Sequence, residues 1–333
     1  MNTMVLGSGG WGTALAMLLH DNGHAVTLWS HNPDKAAALR ETGENPLLPG
    51  VALPAALRVT SELAELRAAE LVVFATPSFA LRETARKAAE YLDSRALLVS
   101  VTKGIERGTH LRMSQLVRAE TGGGHTVAVL SGPSHAEEVA RRMPTGCVAA
   151  SESQRAAEAV QRAFMNEVFR IYTHDDVVGV ELSGALKNVA ALCCGIADGC
   201  GLGDNAKALL MTRSLTEMAR LAEKLGGRRD TLAGLAGVGD LIVTCTSVHS
   251  RNRRAGILIG QGRGAAEAMR EVGAVVEGYY ACQSARELSD ELDVNMPICR
   301  AVYDVLFANA DVPSTVRALM NRMPRRESEM CWV

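Results

Sequence analysis

The apolar positions of this chain follow two patterns, and the change between them is abrupt. Over the first half, short continuous apolar runs alternate with segments of helical periodicity. The runs are Met4–Leu6, Ala25–Trp29, Leu57–Thr60, Leu71–Thr76, Ala96–Thr102, Thr126–Ser131, Cys147–Ala150 and Phe169–Tyr172. Helical segments such as Thr13–Asp21, Pro33–Glu41 and Phe79–Tyr91 lie between the earlier runs. Continuous apolar strands separated by helices predict a parallel sheet covered on both faces. From Asp175 onward the strand pattern stops and helices follow. The expected fold class is therefore α/β. A Rossmann-type parallel-sheet domain spans residues 1–175, and an all-helical domain spans residues 176–333.

The first strand runs into Gly7-Ser8-Gly9-Gly10-Trp11-Gly12 and then into good helix formers. Gly7, Gly9 and Gly12 have the spacing G-x-G-x-x-G. In a dinucleotide fold the first glycine allows the tight turn, the second admits a pyrophosphate, and the third lets helix and strand pack closely. The helix start then offers free N–H groups and a positive dipole end. The motif alone is weak, but a strand before it and a helix after it supply the context it requires.

Composition narrows the classes. The 333 residues suggest two domains. A formal net charge of −2 and 4% aromatics exclude a general pull toward nucleic acid. No apolar run reaches spanning length, and the apolar start at Met4 is too short for a signal segment. Eight cysteines without paired metal spacing read as reduced thiols, so a cytoplasmic location is expected.

Ligands of such sheets bind at the carboxyl ends of the strands. The second strand ends at Ser30-His31-Asn32, with no acid to bind a ribose 2′-hydroxyl. His31 stands either beside a 2′-phosphate or in a surface turn, and NADP is not excluded. The fourth run ends at Thr76-Pro77-Ser78 and should wall the cofactor channel. Lys103 follows the fifth run and points a charge into the crevice. Ser134 and Glu137 have capping-box spacing, which predicts that Ser134 opens a helix.

In the second half, Val177–Ala197 is apolar on every face, as in a buried helix. Lys187 sits in its middle, and Glu181, six residues away, is no i,i+4 partner. A buried lysine tends to a lowered pKa, which suits proton transfer near neutrality. Asp240, after three glycines, is either a helix N-cap or a buried carboxylate paired with a cation. Thr244 lies on its face at i+4. Ser250-Arg251-Asn252-Arg253-Arg254, at the mouth of a helix, offers charge and fork geometry to a phosphate.

These stretches together resemble bacterial NAD(P)-dependent glycerol-3-phosphate dehydrogenase nearly end to end. GSGGWGTALA, VTKGIE, SGPSHAEE, ELSGALKNV, GVGDLIVTC, SRNRR and VVEGY occur in the family's order. The resemblance implies a helical domain of the 6-phosphogluconate dehydrogenase C-terminal type. It also implies reversible reduction of dihydroxyacetone phosphate to sn-glycerol 3-phosphate with NADPH or NADH, supplying glycerophospholipid synthesis. By position, Gly10, Trp11, His31, Lys103, Ala136, Arg251, Val275 and Glu277 match cofactor contacts. Lys103, Gly132, Ser134, Lys187, Asp240, Ser250, Arg251 and Asn252 match substrate contacts, and Thr244 is added from its helical face. Lys187 matches the catalytic lysine, with Asn188 and Asp240 expected to orient it. Gly10 replaces a serine common in the family, and Ser134 stands where threonine is also common. No metal is required, because the ammonium is the electrophile. A homodimer is compatible with the sequence, which does not give the subunit number. A superfamily dehydrogenase acting on a carboxylate and a non-catalytic dinucleotide sensor are the competing readings.

Overall fold

The computed structural model describes residues 1–324, 326 and 327. Cys331 lies outside the described residues. The elements in chain order begin β1 (Asn2–Leu6), α1 (Gly10–Asp21), β2 (Ala25–Trp29), α2 (Pro33–Thr42), β3 (Arg58–Thr60) and β4 (Leu71–Phe74). Next come α3 (Ser78–Ala89), β5 (Leu97–Ser100), α4 (Met113–Glu120), β6 (Val127–Ser131), α5 (Ala136–Ala140), β7 (Thr145–Ala150), α6 (Gln154–Phe164) and β8 (Phe169–His174). Helices then follow one another: α7 (Val177–Gly199), α8 (Gly203–Lys224), α9 (Arg229–Leu232), α10 (Asp240–Thr246) and α11 (Arg251–Gly260). The described residues end with α12 (Ala265–Val272), α13 (Glu277–Glu291), α14 (Pro297–Phe307) and α15 (Val312–Met320).

Among the described residues the strands form one eight-stranded sheet of order β3-β2-β1-β4-β5-β6-β7-β8. The run from β3 to β6 is parallel, with Met4 opposite Thr27 on one side and Val72 on the other. The expectation of a wholly parallel sheet is corrected at β7, which runs antiparallel to β6 and parallel to β8. The link between β6 and β7 explains this. Its helix α5 has only five residues, a rise of about 8 Å. That cannot carry the chain back along a strand of about 17 Å, so the chain doubles back instead of crossing over.

Both sheet faces are covered. Leu15, Leu19, Leu28, Leu39 and Phe164 pack on one side, and Leu66, Phe74, Leu81 and Leu116 on the other. A third core belongs to the helices and includes Leu186, Val189, Leu192, Met218 and Val302. Helix α7 runs through it. It is long and apolar enough to cross a membrane, yet 89% of its most apolar window is buried by its neighbours. Its all-round apolarity is thus that of a central core helix.

Glycine sets how closely α11 crosses α7. A Cβ on Gly195 would lie 2.2 Å from the Arg253 carbonyl oxygen, and one on Gly256 would lie 2.2 Å from that of Leu192. Gly199 and Gly260 make the same approach one turn on, toward Ile257 and Ile196. The two backbones touch, and no side chain separates them.

Glu181 of α7 joins the halves. Its carboxylate accepts from the Ser114 N–H (2.7 Å), the Ser114 hydroxyl (2.6 Å) and the Arg112 guanidinium. The i,i+4 rule could not supply this partner because it lies 69 residues away.

Gly256→Ala tests the close crossing. In an ordinary helix interior this change stabilises by about 1 kcal/mol. Here the new methyl meets a backbone carbonyl that cannot rotate away, and overpacking costs about 1–3 kcal/mol. Net destabilisation is expected in a denaturant midpoint, whereas a raised midpoint would show that the helices separate freely.

Candidate active site

The glycine loop is built to present backbone. Gly7 has φ +129°, and a Cβ there would lie 2.7 Å from the Ala75 carbonyl oxygen. A Cβ on Gly12 would lie 1.9 Å from the Gly7 carbonyl oxygen. Both glycines are therefore required by the fold itself. Gly9 differs: a Cβ there meets nothing within 4 Å, so the space it faces is open. Helix α1 starts from Gly9 with no side-chain cap, which leaves its first N–H groups for a ligand. The Trp11 indole N–H is buried and has no partner among the described residues. The Ser8 carbonyl accepts from Asn45 Nδ2 (3.2 Å) and Lys35 Nζ (2.8 Å). Ala136 lies 3.6 Å from a Cβ built on Gly10, so these two carried-over positions are neighbours. A cradle with open space over its second glycine and unused donors at the helix start fits a pyrophosphate.

The charged centre lies at the carboxyl ends of β5 and β6. Asp240 is buried at 1% exposure. One of its oxygens takes Lys187 Nζ and the other takes Lys103 Nζ at 2.8 Å. Of the two expected roles for Asp240, the paired carboxylate is the one observed. Lys187 Nζ also donates to the Thr244 hydroxyl at 2.7 Å, and that hydroxyl donates to the Asp240 carbonyl at 2.6 Å. Lys103 Nζ donates further to the Gly132 carbonyl (2.9 Å) and the Ser134 hydroxyl (3.4 Å). Burial pushes Lys187 down to about 7; Asp240 opposes the shift and the neighbouring Lys103 adds to it. Two ammonium groups on one carboxylate leave a net positive site.

A π-helical turn, Leu235–Gly239, delivers Asp240 to this point. Gly237 in it is needed for contact, since a Cβ there would lie 2.0 Å from the Leu232 carbonyl oxygen. Such turns are rare and cluster at functional sites.

Three expectations need correction. Ser134 does not cap α5: the N-cap is His135 without a side-chain bond, and the Ser134 hydroxyl donates to Gly132 O at 2.8 Å. Asn188 does not bond the Lys187 ammonium. Its Nδ2 donates to Gly184 O, and its Oδ1 accepts from Asn252 Nδ2 at 2.9 Å. The arginine cluster is also divided. Arg253 is taken by Asp198 at 2.7 Å, while Arg251 is exposed at the start of α11. Ser250 caps that helix, accepting from the Arg253 N–H at 3.2 Å.

Asn252 is buried, and its Oδ1 accepts from the Gly278 N–H at 2.8 Å. Next to Gly278, Glu277 reaches across to the sheet half and accepts from the Ser78 N–H (3.0 Å) and hydroxyl (2.5 Å). Burial raises the Glu277 pKa, while Ser78 and the charge of Arg251 oppose the rise. Val275 lies half-buried just ahead of α13, and His31 is exposed at the end of β2.

Two features escaped the sequence reading. His135 lies beside His249, with ring centroids 5.9 Å apart. Burial and the nearby Lys187 charge lower its pKa, so it is neutral at pH 7. Lys35, bonded to the glycine loop at Ser8, is the other. Its signal was its position four residues past His31.

A glycine-loop cradle beside a strand-end crevice, facing a buried ammonium on a helical layer, defines a dinucleotide-dependent oxidoreductase. Comparison with known proteins makes this particular. Residues 2–157 match the family description "NAD-dependent glycerol-3-phosphate dehydrogenase N-terminus", and residues 176–317 match its C-terminus counterpart. The chain is 51% identical over 327 residues to glycerol-3-phosphate dehydrogenase [NAD(P)+] of Moorella thermoacetica, covering 98% of this chain and 97% of that one. It is 49% identical over 326 residues to the Desulfitobacterium hafniense enzyme of the same name, covering 98% and 92%. The crystal structure of the Coxiella burnetii glycerol-3-phosphate dehydrogenase superposes with a TM-score of 0.93 at 37% identity, covering 96% of this chain and 99% of that one. The chain belongs to the NAD-dependent glycerol-3-phosphate dehydrogenase family.

Gly9→Val separates cradle from fold. The side chain enters open space, so the thermal midpoint should hold. Dinucleotide binding should be lost, because the branched side chain occupies the pyrophosphate position. Calorimetric titration with NADPH checks this, and retained affinity would show that the open space is not the binding site.

Proposed function

We propose that the protein catalyses the reversible reduction of dihydroxyacetone phosphate to sn-glycerol 3-phosphate with NADPH or NADH. In the cell this would supply the backbone of glycerophospholipids. The observation that carries the proposal is the Lys187 ammonium. It is buried, paired with Asp240, bonded to Thr244 and backed by Lys103 beside the strand-end crevice. Family membership supplies the substrate class.

The bound dinucleotide supplies the hydride; the remaining chemistry falls to the chain. Lys187 donates a proton to the oxygen that becomes an alkoxide as the carbonyl is reduced, and takes it back in the reverse direction. Asp240 and Thr244 aim its Nζ, and Lys103 adds positive charge at the reacting end. Arg251, with the start of α11, holds the substrate phosphate. Asn252 has one amide hydrogen not used by Asn188 and can give it to the same phosphate. Asn188 positions Asn252 and has no bond to the lysine. We further propose a domain boundary at residues 175/176, a cytoplasmic location and a homodimer.

The direct assay is NADPH consumption with dihydroxyacetone phosphate, set against a panel of keto acids. Activity on a keto acid alone would replace the proposal with a carboxylate-specific enzyme.

The pH dependence follows from the lowered Lys187 pKa. Reduction requires the ammonium, so its rate should fall as pH rises through about 7. Oxidation requires the free amine, so its rate should fall as pH drops through the same region. Measuring kcat/KM against pH in both directions checks the opposed limbs. Parallel limbs would remove Lys187 as the titrating acid.

Lys187→Met should lower kcat by about 10²–10⁴-fold. The fold should survive, since Asp240 keeps Lys103 at 2.8 Å. Near-normal kcat in a folded variant would refute the role. Arg251→Ala should raise the KM for dihydroxyacetone phosphate by roughly tenfold, the scale of one charge-assisted hydrogen bond. An unchanged KM would make it a surface residue.

A further inference from the structure

The carboxyl end of β2 carries a cation for which the described residues supply no counter-ion. Lys35 lies in the first turn of α2 and is half-buried there. Its Nζ donates to the Ser8 carbonyl at 2.8 Å, across 27 residues, which holds the ammonium against the glycine loop. Among the described residues no carboxylate pairs with it. Burial lowers its pKa and no neighbouring charge offsets the shift. A half-buried ammonium bonded to one neutral carbonyl keeps two of its three donors for another acceptor.

The surroundings say which acceptor. In doubly wound folds the end of the second strand faces the 2′ position of the adenosine ribose, where an acid selects the hydroxyl and a base accommodates a phosphate. Ser30-His31-Asn32-Pro33 contains no acid. Asp34 is exposed and adjacent to Lys35 in the helix, so the two side chains diverge. The start of α2 is not itself a free anion site. Asn32 Oδ1 already accepts from the Asp34 N–H (2.8 Å) and the Lys35 N–H (3.1 Å). Positive charge at this point therefore comes from the Lys35 side chain, with His31 exposed alongside.

We infer that Lys35 is a specificity-determining residue: its ammonium pairs with a 2′-phosphate at the lip of the glycine loop and makes NADPH the preferred donor. This rests on the proposed dehydrogenase reading for the reaction, but its test does not depend on the reaction. Lysine suits the position because a compact charge can keep Ser8 on one proton and offer the others to the phosphate.

The test compares adenosine 2′,5′-bisphosphate with adenosine 5′-diphosphate by calorimetry, on the wild-type protein and on Lys35→Met. Wild type should bind the 2′-phosphorylated ligand more tightly. The variant should lose that ligand by about tenfold or more and keep its affinity for the other. The NADPH-to-NADH ratio of kcat/KM should fall by the same factor while NADH-driven turnover of dihydroxyacetone phosphate persists. Lys35→Arg should keep the preference. Equal loss of both ligands would mean that Lys35 only braces the loop through Ser8 and would overturn the inference, as would an unchanged ratio. A wild type that turns over no dihydroxyacetone phosphate with either donor would sink the dehydrogenase reading alone, because the binding arm still reports on Lys35.

Discussion

The site depends on a single carboxylate with two lysines attached to it. Asp240 is almost wholly buried and holds Lys187 on one oxygen and Lys103 on the other. A buried ion pair gains little stability in general, because desolvation offsets attraction. Here the arrangement does something else. The carboxylate makes a charged lysine tolerable inside an apolar helix, while the second lysine keeps that charge easy to lose. The competition between burial, Asp240 and Lys103 sets Lys187 near the pH at which it must both give and accept a proton. Removing either neighbour would move that balance in opposite directions.

Bringing these groups together requires backbone contact that only glycine allows. Helices α7 and α11 touch at Gly195, Gly199, Gly256 and Gly260. The start of α11, with Arg251 and Asn252, is thereby drawn to the level of Lys187 and Asn188. Gly237, packed on Leu232, does the same for Asp240. Chemistry-bearing residues from three helices thus converge because small residues elsewhere on those helices yield space.

Much of this was legible in the residues. The eight apolar runs became eight strands because a covered sheet buries apolar side chains, on both faces of its inner strands and on alternate residues of β8 at the edge. Lys187 stood out because its helix has no polar face. Strand direction was not legible at β7, because side-chain pattern is the same either way and the short α5 decides it. Asn188 was misassigned through sequence adjacency: the next residue on a helix points about 100° away, toward Asn252. Ser134 had the spacing of a cap, but its hydroxyl found the Gly132 carbonyl first. Lys35 and Glu181 were obscure for one shared reason. Their partners lie tens of residues distant, and no periodicity within an element encodes them.

The join between sheet and helices has a dry edge and a wet edge. At the dry edge Val129 and Val148 of the sheet meet Val177, Val180 and Ala236. At the other edge acids on the helices meet polar groups of the sheet half: Asp240 with Lys103, Glu277 with Ser78, Glu287 with His110. Parting the dry edge exposes apolar surface at about 25 cal/mol per Å². Parting the wet edge trades each bond for one to water, at a net cost of about 1 kcal/mol each. Per contact, the seam therefore costs more to part along its apolar side than along its polar side.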